Sequence, residues 1–97
     1  MIALGDSLVE RIPGTLAAEL LPQDAAAWIN LGISGDCLPN IIWRVMNLGM
    51  EKLQPTFVWI LAGTNDLGHY NRSADEIVAL HEMLWMEIKR RCPETKL

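Results

Sequence analysis

The chain has 97 residues, is 51% hydrophobic, and carries a formal net charge of −4 with a pI near 5.0. Its length limits it to one small domain, read over residues 1–97, with enough apolar material for a packed core rather than general disorder. The acidic balance and the lack of a basic run exclude a nucleic-acid partner, which needs a positively charged face. No apolar stretch approaches the ~20 residues of a membrane span.

Met1–Leu4 is short, apolar and bounded by Gly5, and reads as a buried strand. Pro13-Gly14 breaks the chain. Leu16, Leu20 and Leu21 then stand at helical spacing in "TLAAELL", which stops before Pro22. Ala26–Asn30 reads as a second strand, followed by the Gly-rich loop "LGISGD". A helix is predicted from near Asp36 or Cys37, with Pro39 in its first turn and Gly49 as its stop. Its apolar stripe is Leu38, Ile41, Ile42, Val45 and Leu48.

Thr56–Ala62, "TFVWILA", is the clearest strand. A run apolar at every position predicts burial on both faces, as in a parallel sheet. "GTNDLGHYNR" reads as a loop. Ser73 with Glu76 spells a capping box for a last helix to about Arg91, with Ile77, Leu80, Leu84 and Ile88 inward. Lys89, Arg90 and Arg91 suit the negative end of that helix, and Pro93 ends it. Trp28, Trp43, Trp59 and Trp85 are expected to pack in the core and on helix faces. Alternation of strand and helix implies right-handed crossovers and a parallel sheet with helices on both faces.

Each predicted strand runs into a loop of Gly, Ser, Asn and Asp: "GDS", "LGISGD" and "GTND". In an open parallel sheet these loops share the carboxyl edge, where ligands bind. Ser7, Gly35 and Asn65 are therefore expected to gather there. Ser7 brings a hydroxyl, Gly35 a backbone N–H without a side chain in the way, and Asn65 a carboxamide with two donors. One nucleophile with converging neutral donors suits acyl transfer, because the donors hold the oxyanion of a tetrahedral intermediate. Taken alone, Ser7 also fits a helix N-cap, Gly35 a tight turn and Asn65 a turn residue. Asp6 is read as fixing the local turn.

"GDSL" at residues 5–8, "NLGISGD" at 30–36 and "GTND" at 63–66 resemble, in order and spacing, the first three blocks of the GDSL, or SGNH, esterases and lipases. The style of the central stretch is similar to the platelet-activating-factor acetylhydrolase type. The resemblance implies a flavodoxin-like three-layer α/β/α sandwich. Its implied reaction is hydrolysis of a small-molecule ester or acyl substrate through an acyl-serine, with no cofactor. It makes Ser7 the nucleophile, and Gly35, Asn65 and the Ser7 N–H the oxyanion donors.

The family's fourth block, Asp-x-x-His, supplies the base and follows a fifth strand. This chain has two histidines, His69 and His81. Asp66-Leu67-Gly68-His69 has the spelling but sits inside the third block. His69, on the active edge, is the candidate for a substitute base or a substrate contact; His81 reads as a packed or half-exposed helix residue. "CPETKL" resembles the approach to a fourth strand, so about three strands and three helices of a truncated domain are expected, without the catalytic dyad. Ser7 is then weakly activated.

The alternative is a non-catalytic member, truncated or decayed, acting as a small α/β binding or interaction module. Phosphate or nucleotide binding is disfavoured because "LGISGD" lacks both glycine-loop spacings. Without a fourth strand, "TFVWILA" would be an apolar edge open to self-association. Cys37 and Cys92 have no CxxC or Cys–His spacing, so neither a disulfide framework nor a zinc site is expected. The start "MIALGDS" has no charged n-region or cleavage site. The cytoplasm is therefore the default location, and the sequon Asn71-Arg72-Ser73 carries little weight.

Overall fold

A computed structural model describes residues 1–13 and 29–97. The predicted helix at "TLAAELL", Trp28 and the first part of the predicted second strand lie outside the described residues.

Three parallel strands form the sheet: β1 (Ile2–Gly5), β2 (Ile29–Gly32) and β3 (Val58–Leu61), in the order β2-β1-β3. Register is uniform, with Leu4 opposite Leu31 on one side and Ile60 on the other. Among the described residues the helices are α1 (Ser7–Glu10), α2 (Leu38–Asn47), α3 (Met50–Leu53), α4 (Thr64–Gly68) and α5 (Ala74–Arg91).

Strand side chains alternate between faces. Ile2 and Leu4 of β1 join Val58 of β3 against Leu38, Ile41, Ile42 and Val45 of α2 and Leu84 and Ile88 of α5, in one buried cluster. The opposite face carries Gly5 and Gly32, and there α1 lies directly on the sheet. A Cβ on Gly5 would stand 2.3 Å from Val9 Cγ2, and one on Gly32 would stand 2.3 Å from the Glu10 nitrogen. Helices therefore cover both faces, giving the α/β/α layering expected from the sequence. The handedness rule accounts for α1 and α2 lying on opposite faces, because the step from β1 to β2 and the step from β2 to β3 run in opposite directions across the sheet.

α5 has the predicted cap, with Ser73 Oγ accepting from the Glu76 N–H at 3.2 Å, and it ends at Arg91 as expected. α2 begins one residue past Cys37, whose N–H donates to Asn40 Oδ1 at 3.1 Å. Gly49, read as a stop, has φ +71 and joins α2 to the unpredicted turn of α3. Its neighbour Met50 is fully buried.

Two expectations are corrected. β3 is not covered on both faces: Trp59 and Leu61 are each 42% exposed, while Val58 is buried. The tryptophans in the described residues are not core residues either; Trp43 is 65% exposed and Trp85 48%. Val58 and Trp85 line a groove of about 330 Å³ with Trp59, Ile60 and Leu97.

The far edge of β3 does meet the start of a fourth parallel segment. Phe57 pairs with Lys96, the Val58 N–H donates to the Lys96 carbonyl at 2.8 Å, and the Lys96 N–H donates to the Thr56 carbonyl at 3.0 Å. Buried Thr95 anchors this segment through its hydroxyl on the Pro55 carbonyl. No helix among the described residues is long and apolar enough to cross a membrane.

Candidate active site

The carboxyl ends of the strands carry all three polar loops. β1 sits in the middle of the sheet, and the chain leaves it towards β2 and later reaches β3 on its other side. The order reverses between β1 and β3, the place where an open parallel sheet usually binds its ligand.

Ser7 is the first residue of α1, two residues beyond the end of β1, and is half-buried. Among the described residues its Oγ has no hydrogen-bond partner. Its N–H is the first amide of a helix, which no intrahelical carbonyl can meet. Asp6, the N-cap, is fully buried, and its Oδ1 accepts from the Leu8 N–H at 2.9 Å. The predicted turn-fixing role of Asp6 is thus met. Two glycines then decide how closely α1 can approach the strands, as the Gly5 and Gly32 contacts show. Asn30 adds a tether: its Nδ2 donates to the Val9 carbonyl at 2.7 Å, and its Oδ1 accepts from the Gly32 N–H at 2.9 Å.

Gly35 has φ +84, in the left-handed region that favours glycine, and nothing lies within 4 Å of where its Cβ would stand. Asn65, in the first turn of α4, donates from Nδ2 to the carbonyl of Asp36 at 2.8 Å. The second and third loops are thereby tied together at the residue next to Gly35, and one N–H of the Asn65 carboxamide stays free to act as a donor.

Asp66 is fully buried and serves the fold. The Leu38 N–H donates to both of its oxygens, at 3.2 and 2.9 Å, and Arg72 Nη1 pairs with Oδ1 at 3.1 Å. A carboxylate at the first amide of α2 also complements that helix's dipole. His69 lies exposed at the C-cap of α4, and among the described residues its ring joins no hydrogen bond. The spelling Asp66-x-x-His69 therefore does not build an Asp–His pair. His81 is half-buried, as expected, with Nε2 3.1 Å from the Ala62 carbonyl and the ring facing Trp85.

One residue of the site escaped sequence reasoning. Arg44 of α2 donates from Nη1 to the Leu31 carbonyl at 2.7 Å, and its Nη2 lies 2.8 Å from Asp36 Oδ2. Its signal was a charged residue three positions after Ile41, within the predicted inward stripe. Among the described residues no cluster of His, Cys, Asp and Glu could hold a metal ion.

The sequence pattern of the GDSL-like Lipase/Acylhydrolase family matches residues 3–97. The platelet-activating factor acetylhydrolase IB subunit alpha1 of Bos taurus is 27% identical over the whole chain, which spans 40% of that protein. Subunit alpha2 of Homo sapiens is 29% identical over 69 residues, 71% of this chain and 29% of the relative. A Streptococcus pneumonia structure named as a platelet activating factor superposes on 97% of this chain and 41% of its own, with TM-score 0.69 and 26% identity. A Parabacteroides merdae structure named as a GDSL-like lipase aligns with TM-score 0.72 over 97% of this chain and 55% of its own; at 24% identity it supports the fold.

Proposed function

Because the chain belongs to the GDSL-like lipase/acylhydrolase family, we propose that it carries the nucleophile and oxyanion hole of a serine ester hydrolase. Ser7 Oγ attacks the acyl carbonyl of a small ester. The negative charge that develops on the carbonyl oxygen is met by the N–H groups of Ser7 and Gly35 and by the free N–H of Asn65. Such preorganised donors act where charge develops and need little reorganisation during the reaction. Collapse of the intermediate expels the alcohol and leaves an acyl-serine, which water then hydrolyses. The observation that carries this reading is the 2.8 Å bond from Asn65 to the Asp36 carbonyl, which ties two donor loops together at the sheet edge that bears Ser7.

A serine nucleophile also needs a base. Asp66 is committed to Leu38 and Arg72, so His69 has no orienting carboxylate and is not an effective base. The described chain therefore reacts slowly. The same engagement of Asp66 favours a second reading, a non-catalytic α/β module that keeps the architecture of the site. The two readings separate on one experiment. The protein is incubated with an activated acetyl ester, quenched in acid and mapped by mass spectrometry. The hydrolase reading expects acetyl on Ser7 and not on Ser34 or Ser73. Equal acetylation of all three serines, or of none, contradicts it and leaves the second reading.

A further inference from the structure

We propose that Arg44 is a positioning residue that clamps the oxyanion loop to the ends of β1 and β2. The proposal rests on the hydrolase reading only for its consequence at Ser7; the clamp itself is geometric. One guanidinium reaches two backbone carbonyls and one side-chain carboxylate, on three separate segments. Nη1 donates to Leu31 in β2 at 2.7 Å, Nη2 lies 3.5 Å from the Gly5 carbonyl at the end of β1, and Nη2 approaches Asp36 Oδ2 at 2.8 Å. The last contact is an ion pair by distance rather than an aligned hydrogen bond. Both side chains are largely withdrawn from water, Arg44 at 12% exposed and Asp36 at 16%.

The consequence follows the chain. Asp36 is adjacent to Gly35, and its carbonyl receives Asn65 Nδ2. Its own N–H donates to the Ile33 carbonyl at 3.1 Å, and the Ile33 N–H donates to the Gly5 carbonyl at 3.1 Å. Arg44 therefore fixes the loop that presents the Gly35 N–H and the partner that orients Asn65. It fixes them relative to Gly5, two residues before Ser7. The planar fork of arginine suits this task, since a lysine ammonium cannot hold a carbonyl and a carboxylate in one fixed geometry. The arrangement is held although the buried Arg44 Nε has no partner among the described residues.

The test is amide hydrogen exchange by NMR on the full chain and on the variants Arg44→Met and Arg44→Lys. Loss of a charge-assisted hydrogen bond is expected to speed exchange at Ile33 and Asp36 by roughly 10- to 100-fold in Arg44→Met. The Asn65 side-chain amide signals should shift. Ile2, whose N–H donates to the Phe57 carbonyl at 3.0 Å on the far side of the sheet, should stay unchanged. Arg44→Lys keeps the charge and should show the same pattern at smaller amplitude, and it carries the test if Arg44→Met does not fold. Equal acceleration at Ile33, Asp36 and Ile2 would reveal a purely global contribution to stability and overturn the proposal, as would no change at Ile33 and Asp36. Exchange is read without substrate, so a failure of Ser7 to acylate would sink the hydrolase reading and leave the clamp standing.

Discussion

Asn65 donates its side-chain N–H to the carbonyl of Asp36 at 2.8 Å, joining loops that leave different strands. It acts beside the Asp66–Leu38 bonds, which tie the same third loop to the start of α2. Asn65→Ala is accordingly expected to slow acylation or phosphonylation of Ser7 by on the order of 10²-fold, the scale of removing one oxyanion donor. Kinetics of adduct formation by intact-mass spectrometry measure it. An unchanged rate would remove Asn65 from the site.

Asp66 and His69 should behave oppositely. Asp66→Ala strips the acceptor from the first amide of α2 and leaves Arg72 unpaired. The cost is about 2 kcal/mol, below that of a fully buried pair because Arg72 is partly solvated. His69→Ala removes an exposed ring and should change stability by roughly 0.5 kcal/mol at most, with ester turnover unaltered. Urea unfolding and an activated-ester assay on both variants report these outcomes.

The glycines divide in the same way. A methyl on Gly5 would meet the Leu61 carbonyl and Val9 Cγ2, each at 2.3 Å. One of these is backbone of the neighbouring strand, so Gly5→Ala must displace either β3 or the helix bearing Ser7. A loss of about 3 kcal/mol is expected. Gly35→Ala meets no atom and suffers only its positive φ, roughly 1–2 kcal/mol. Comparison of the two denaturation midpoints tests whether Gly5 is a packing glycine and Gly35 a backbone-conformation glycine.

Much of this organisation was legible in the chain. Ser73 and Glu76 marked the start of α5, and the spacing of Leu38, Ile41 and Val45 marked the buried face of α2. The loops announced themselves by composition alone. α1, α3 and α4 were missed as elements because a single turn is too short to show a 3.6-residue period. The burial of β3 was overestimated for a different reason. Unbroken hydrophobicity cannot tell a covered face from an exposed one, and Trp59 and Leu61 lie on the exposed side. Arg44 showed only as a charge beside the inward stripe of α2; its partners, backbone carbonyls and Asp36, are brought together by the fold. The double reading of Asp66 was settled by the Leu38 amide, distant in sequence and adjacent in space.

Cys92 offers a pH test. It is fully buried with its Sγ 3.4 Å from the Met50 carbonyl, and burial pushes its thiol above the ordinary value of 9.0. The folded state thus favours the protonated thiol. Its contribution to stability is fully present below pH 9.0 and is lost as pH rises through the higher folded value. Denaturation midpoints should therefore fall above that pH in the natural chain and fall less in Cys92→Ala. Equal slopes in both would contradict the assignment.

The most direct measurement is the site and rate of reaction with a fluorophosphonate, mapped by peptide mass spectrometry. A slow adduct is expected on Ser7, with Ser34 and Ser73 unmodified. It should be abolished by Ser7→Ala and further slowed by Asn65→Ala. Label spread evenly over the three serines would contradict the nucleophile assignment. Rapid stoichiometric labelling of Ser7 would contradict the claim that Asp66 and His69 leave it without an effective base.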